Sequence, residues 1–112
     1  MYEVHKTMTV AGAHHLNLNY ESRCSSLHGH NWRITVVCRV KDDGLDVNGM
    51  VVDFTDIKKI VNKFDHANLN DFVVQPTAEN IAKYLYEEIP HCARIEVEET
   101  EGNKVVYEPD RD

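Results

Sequence analysis

Positive charge is scarce in this chain: 12 lysines and arginines stand against 19 aspartates and glutamates, a formal net charge of −7. That balance argues against nucleic acid and anionic membrane surfaces as main partners. Long apolar runs are missing, so no segment reads as a bilayer span. Met1 leads straight into a strand pattern, which predicts no signal peptide and no membrane association. Cysteine is limited to three, an odd number without a paired framework. The expectation is reduced thiols in a cytoplasmic protein. Repeats, low-complexity tracts and linkers are also absent, and 112 residues predict one domain over 1–112.

What is present is a moderate apolar fraction, 42%, beside 28% charged residues. That combination suits a soluble domain that completes its burial in an oligomer. Residues 2–14 alternate, with Tyr2, Val4, Met8 and Val10 on one face, and predict a strand. A polar stretch over 17–27 reads as a long, functional type of loop. Trp32, Ile34, Val36, Cys38 and Val40 form the apolar face of a second strand. Asp53 or Thr55 caps a first helix carrying Phe54, Ile57, Ile60, Val61 and Phe64 at helical spacing. Residues 65–70 are polar and turn-rich. Thr77 caps a second helix, with Ile81, Ala82, Leu85 and Ile89 inward and Pro90 at its end. Two more alternating segments follow, joined by a turn at Glu101, Gly102 and Asn103. The order is β-β-α-α-β-β. It predicts an α+β fold with a four-stranded antiparallel sheet and two helices on one face.

The densest chemistry lies in Cys24-Ser25-Ser26-Leu27-His28-Gly29-His30-Asn31. In extended backbone, His28 and His30 share a face, with Cα atoms about 6.6 Å apart. Both imidazoles can reach one ion. Gly29 between them leaves room for another backbone to approach. His14 and His15 end the first strand, and alternation allows at most one of them to join. With His14, the three make a nitrogen site with one open position, the pattern of catalytic zinc. Cys24 reads as a nucleophile, a base, a fourth ligand or a buried small hydrophobe. Asp65-His66 reads as a carboxylate orienting an imidazole, or as a solvated helix end. Glu99 follows Ile95 and Val97 on the inward face, where a carboxylate must find donors; a ligand with adjacent N–H groups would supply them. Cys38 and Cys92 read as structural thiols. His5 and His91 show no constellation.

Together His14, the run from Cys24 to Asn31, Asp53-Phe54, Asp65-His66 with Leu69-Asn70, Pro76-Thr77-Ala78-Glu79-Asn80 and Val97-Glu98-Glu99-Thr100 resemble the 6-pyruvoyl-tetrahydropterin synthase family. The resemblance covers nearly the whole chain and keeps the order of every block. The Cys-x-x-x-His-Gly-His spacing resembles the family's bacterial branch, which forms 6-carboxy-5,6,7,8-tetrahydropterin. The resemblance implies a tunnelling fold, or T-fold, with a barrel closed by oligomerisation into a hexamer, a dimer of trimers. It implies a small-molecule substrate, 7,8-dihydroneopterin triphosphate, and release of acetaldehyde and triphosphate in queuosine biosynthesis. By position, His14 (rather than His15), His28 and His30 match the Zn2+ ligands, and Cys24 matches the catalytic cysteine. Asp65 and His66 match the proton-transferring pair, and Glu99 the pterin anchor. A triphosphate-eliminating or side-chain-cleaving relative, and a non-catalytic zinc or pterin binder, are the competing readings. Val10 replaces a usual phenylalanine, and His15 a usual Arg or Lys. Arg23, Arg33 and His15 are therefore the candidate triphosphate contacts.

Overall fold

In the computed structural model, residues 1–110 are described. Two long strands dominate, β1 (Tyr2–His14) and β2 (His28–Val40), 13 residues each. They pair antiparallel over their full length, from Tyr2 opposite Val40 to His14 opposite His28. Alternation sends Val10, Gly12 and His14 inward from β1, and Trp32, Ile34 and Val36 inward from β2. Thr7 and Thr35 face the opposite way and bond through their hydroxyls at 2.9 Å.

Helix α1 (Phe54–Val61) starts at Asp53, whose carboxylate accepts the Thr55 N–H at 2.8 Å. Asp53 therefore caps the helix, and Thr55 lies within it. The regular helix ends at Val61, and residues 62–64 continue as a tighter 3-10 turn that buries Phe64. Helix α2 (Ala78–Glu88) starts at Thr77, whose hydroxyl accepts from Asn80 at 3.1 Å. Both helices put their apolar stripes into one core. Ile57, Val61, Ile81, Ala82 and Leu85 meet Trp32, Ile34, Val36, Ile95 and Val97 there, all fully buried. That dry interface is the main source of stability.

The sheet has five strands among the described residues, not the four expected. Its order is β3 (Ala67–Asn68), β1, β2, β4 (Cys92–Thr100) and β5 (Asn103–Tyr107). The added strand, β3, runs parallel to β1 and pairs Gly12 with Ala67 and Ala13 with Asn68. Two residues leave no hydrophobic alternation to read, and their pairing is a backbone event. Gly12 makes it possible: a Cβ there would stand 2.4 Å from Leu69 Cδ1 and 3.0 Å from the Phe64 carbonyl. At Gly29 the nearest atom to such a Cβ is 3.8 Å away, so the close approach expected there occurs at Gly12 instead.

Candidate metal centre and active site

The β1–β2 register builds the centre of the site. His14 and His28 are directly opposed, and His30 is opposed to Gly12, two positions along. All three imidazoles stand on the same side of the sheet, and their ligand nitrogens lie within 4.8 Å of one another. His14 is buried, and its ring packs edge-on against Trp32, centroid to centroid 4.9 Å. Trp32 also lies 5.2 Å from His30 and donates its indole N–H to the Gly12 carbonyl at 3.0 Å. One buried tryptophan thus walls His14 and His30 and fastens its own strand to β1, which carries His14.

Backbone carbonyls set the tautomers. His14 Nδ1 donates to the Pro76 carbonyl at 2.7 Å, and His28 Nδ1 donates to the Ser26 carbonyl at 2.7 Å. A carbonyl can only accept, so both Nδ1 atoms carry hydrogen. The neutral rings then present bare Nε2 lone pairs to each other, 3.1 Å apart. A cation between them removes that repulsion. Nitrogen ligands around a tetrahedral zinc lie about 3.3 Å apart, close to the spacing here. His30 Nε2 is buried and has no hydrogen-bond partner among the described residues. Glu99 Oε1 stands 3.4 Å from it. Burial pushes the His14 imidazole toward its neutral form against the opposing pull of the Pro76 carbonyl. His30 is likewise held down by burial, with Glu99 opposing. Neutral imidazoles are the metal-binding form, and the donor set suits zinc.

Two side-chain amides hold the chain beyond His14. Asn70 accepts the His15 N–H at 2.9 Å and donates to the His15 carbonyl at 3.0 Å. Gln75 does the same for Asn17, with both bonds at 2.9 Å. Each amide acts as one rung of a missing strand, extending the support that β3 gives to β1. Sequence reading did not assign Gln75, nor Asn70 this role, because backbone recognition by an amide leaves no periodic mark.

Cys24 lies half-buried on a 3-10 turn, Arg23–Ser25, capped by the Ser22 hydroxyl. Leu16 donates to the Cys24 carbonyl at 2.8 Å, which ties the turn to the end of β1. The thiol stands outside the trio of metal-competent nitrogens. Asp65 accepts the Ala11 N–H at 2.9 Å and lies 3.0 Å from His66 Nδ1. The Ala11 N–H, then His66, hold the Asp65 carboxyl below its ordinary range. His66 takes a left-handed φ of 55°, and its side chain is 84% exposed. His66 and His30 line one open depression of about 520 Å³ beside Gly12 and Gly29; Cys24 and Glu99 do not line it. Within one chain, then, the histidine trio and Glu99 come together, while Asp65-His66 stands at the sheet edge. Of the candidate anion contacts, Arg23 lies on the Cys24 turn and Arg33 is opposite Thr9 and Glu98 on the polar sheet face.

This helix-backed sheet, with a histidine cluster at one end of its longest hairpin, has the tunnelling fold. It superimposes on the solved Caenorhabditis elegans 6-pyruvoyl tetrahydropterin synthase with a TM-score of 0.73, at 25% identity over 97% of this chain and 96% of that one. The 6-pyruvoyl tetrahydropterin synthase family model matches residues 3–110, and the chain belongs to that family. It is 31% identical over 127 aligned positions to the 6-carboxy-5,6,7,8-tetrahydropterin synthase of Bacillus subtilis, covering 96% of this chain and 86% of that protein. A putative 6-carboxy-5,6,7,8-tetrahydropterin synthase of Archaeoglobus fulgidus is 39% identical over 87 positions, covering 70% of this chain and 73% of that protein. No helix among the described residues is long and apolar enough to cross a membrane.

Proposed function

We propose that this protein is a zinc-dependent carbon–carbon lyase. It converts 7,8-dihydroneopterin triphosphate to 6-carboxy-5,6,7,8-tetrahydropterin, releasing acetaldehyde and triphosphate, in the 7-deazaguanine and queuosine route of the cytoplasm. The observation that carries this reading is the trio of imidazole nitrogens with the Glu99 carboxylate 3.4 Å from His30. The extent of similarity to the Bacillus subtilis protein supports the carboxy-forming branch.

His14, His28 and His30 would hold the ion. Zinc bound there supplies a Lewis acid for the side-chain hydroxyls of the substrate. Glu99, an acceptor-only group when ionised, takes the amino group and neighbouring ring N–H of the pterin. Cys24 removes the proton from the side-chain carbon next to the ring, working from a turn tethered to the end of β1. Asp65 orients the His66 imidazole, which moves a second proton. His66 shares an open depression with His30 that Cys24 and Glu99 do not line, which supports an active site completed by a neighbouring subunit. The protein acts as a single domain over 1–112 and assembles as a hexamer of two trimers.

A second reading, elimination of triphosphate without loss of the side chain, is favoured by the superposition on the Caenorhabditis elegans enzyme. The four-residue step from Cys24 to His28 speaks against it. Mass analysis of the products formed from dihydroneopterin triphosphate decides. Acetaldehyde with a carboxylated pterin supports the proposal. A pyruvoyl product supports the second reading, and no turnover leaves a non-catalytic pterin or zinc binder.

A further inference from the structure

Two of the three cysteines face each other at the end of the sheet far from the histidines. Cys38 on β2 is the direct cross-strand partner of Cys92 on β4. Val37 pairs with Arg94, so Ala93 is the extra residue of a bulge that brings the two cysteines into register. On the next rung Arg39 donates to the His91 carbonyl at 2.9 Å, which leaves Cys38 and Cys92 at a non-hydrogen-bonded position. Cα atoms at such a position lie about 4.5 Å apart, with their side chains closer than at hydrogen-bonded rungs. That separation falls at the short end of the range a disulfide spans. Both side chains turn to the core side, Cys38 fully buried and Cys92 partly exposed at the rim.

We propose that Cys38 and Cys92 form a redox-convertible dithiol, closed to a cross-strand disulfide by a peroxide without movement of the backbone. The Cys92 thiol donates to the Arg94 carbonyl at 3.7 Å. The nearness of Cys92 lowers the Cys38 thiol, and Cys38 together with burial raises that of Cys92. The pair therefore gives up a first proton more readily than two isolated buried thiols would. One sulfur, as the thiolate, attacks the peroxide oxygen, breaks the O–O bond and becomes a sulfenic acid; the hydroxide released takes up the proton. The second sulfur attacks the sulfenic sulfur and expels the hydroxyl, which leaves as water with the second thiol proton. Two thiols lose two electrons and two protons, and one peroxide becomes two waters. The linked chain closes a loop of roughly 55 residues that contains both helices, a length at which a cross-link strongly restricts the unfolded chain. Cys24, on its separate turn, has no place in this pair.

The test is a hydrogen peroxide titration of the intact protein. Free thiols are counted after denaturation, and linked peptides are mapped before and after dithiothreitol. The expected result is a Cys38–Cys92 linked peptide that dithiothreitol releases, with Cys24 not linked to either. Cys24→Ser should still lose both remaining thiols together, whereas Cys92→Ser should form no linked peptide within the chain. The linked form should melt higher by about 5 °C or more. Cys92 carried to a sulfinic acid while Cys38 stays free would overturn the proposal. So would a cross-link through Cys24, or a linked form that melts lower than the reduced protein.

Discussion

The imidazoles of His14 and His28 meet Nε2 to Nε2 across 3.1 Å, while both Nδ1 atoms are bound to backbone carbonyls. With both hydrogens committed to Pro76 and Ser26, neither ring in its neutral form has a proton to share with the other. A cation is the group that satisfies both.

Zinc content is therefore the first expectation. The purified protein should carry about one zinc per chain, as a three-histidine site holds. The double variant His28→Ala, His30→Ala should carry almost none while keeping its secondary structure. Metal analysis by mass spectrometry checks it; full occupancy in the double variant would mean the ion is bound elsewhere.

Cys24 separates catalysis from binding. Its thiol stands outside the nitrogen trio, so Cys24→Ala should retain zinc, oligomer and substrate affinity. Product formation should fall by at least about 100-fold, the size of a lost general base. Cys38→Ala and Cys92→Ala serve as controls and should turn over at near wild-type rates under reducing conditions. Wild-type turnover in Cys24→Ala would make the thiol structural, and loss of zinc would make it a ligand.

Glu99 stands 3.4 Å from His30 and ends the inward face of β4. Glu99→Gln replaces an acceptor with an amide donor where the pterin presents N–H groups. The expected cost is about 1.5–3 kcal/mol, on the order of 10–100-fold in substrate affinity. Calorimetric titration with a pterin measures it, and an unchanged affinity in a folded variant would reduce Glu99 to a solvated strand end.

Asp65 should leave a mark on acid stability. The Ala11 N–H and His66 hold its folded pKa below the ordinary 3.8. The folded state thus binds fewer protons than the unfolded state in that range, and stability rises with pH there. The contribution is complete above the unfolded value and is lost as pH falls through the lowered folded one. Denaturant unfolding at a series of acidic pH values should show a shallower decline in Asp65→Asn than in wild type. Superimposable profiles would mean the bond to Ala11 contributes nothing.

The sheet edges predict assembly. β3 covers only Gly12 and Ala13 of β1, so the earlier part of that strand lacks a partner on its outer side among the described residues, and β5 ends the sheet on the other side. Unpaired edges of this length are usually covered, and closing a barrel covers both. Light scattering should report a hexamer of 12.9 kDa chains. A monodisperse monomer at working concentration would contradict it.

Much of this protein is determined by sequence alone. The two-residue period of residues 2–14, the Thr77 cap and the paired histidines at 28 and 30 are local features, and local backbone geometry translates them directly into strands, a helix start and a shared face. The candidate metal ligands were legible because a strand period of two states which side chains lie together. The rest depended on contacts between segments far apart in the chain. β3, two residues long, exists only because Gly12 lets Leu69 and the Phe64 carbonyl come close. The tautomers of His14 and His28 are set by the carbonyls of Pro76 and Ser26, which any residue types would carry. The meeting of Cys38 with Cys92 required a bulge at Ala93 to bring the two strands into step. Side-chain periodicity is written in the order of the residues, whereas backbone hydrogen bonds and register between distant strands are settled only when the whole chain packs.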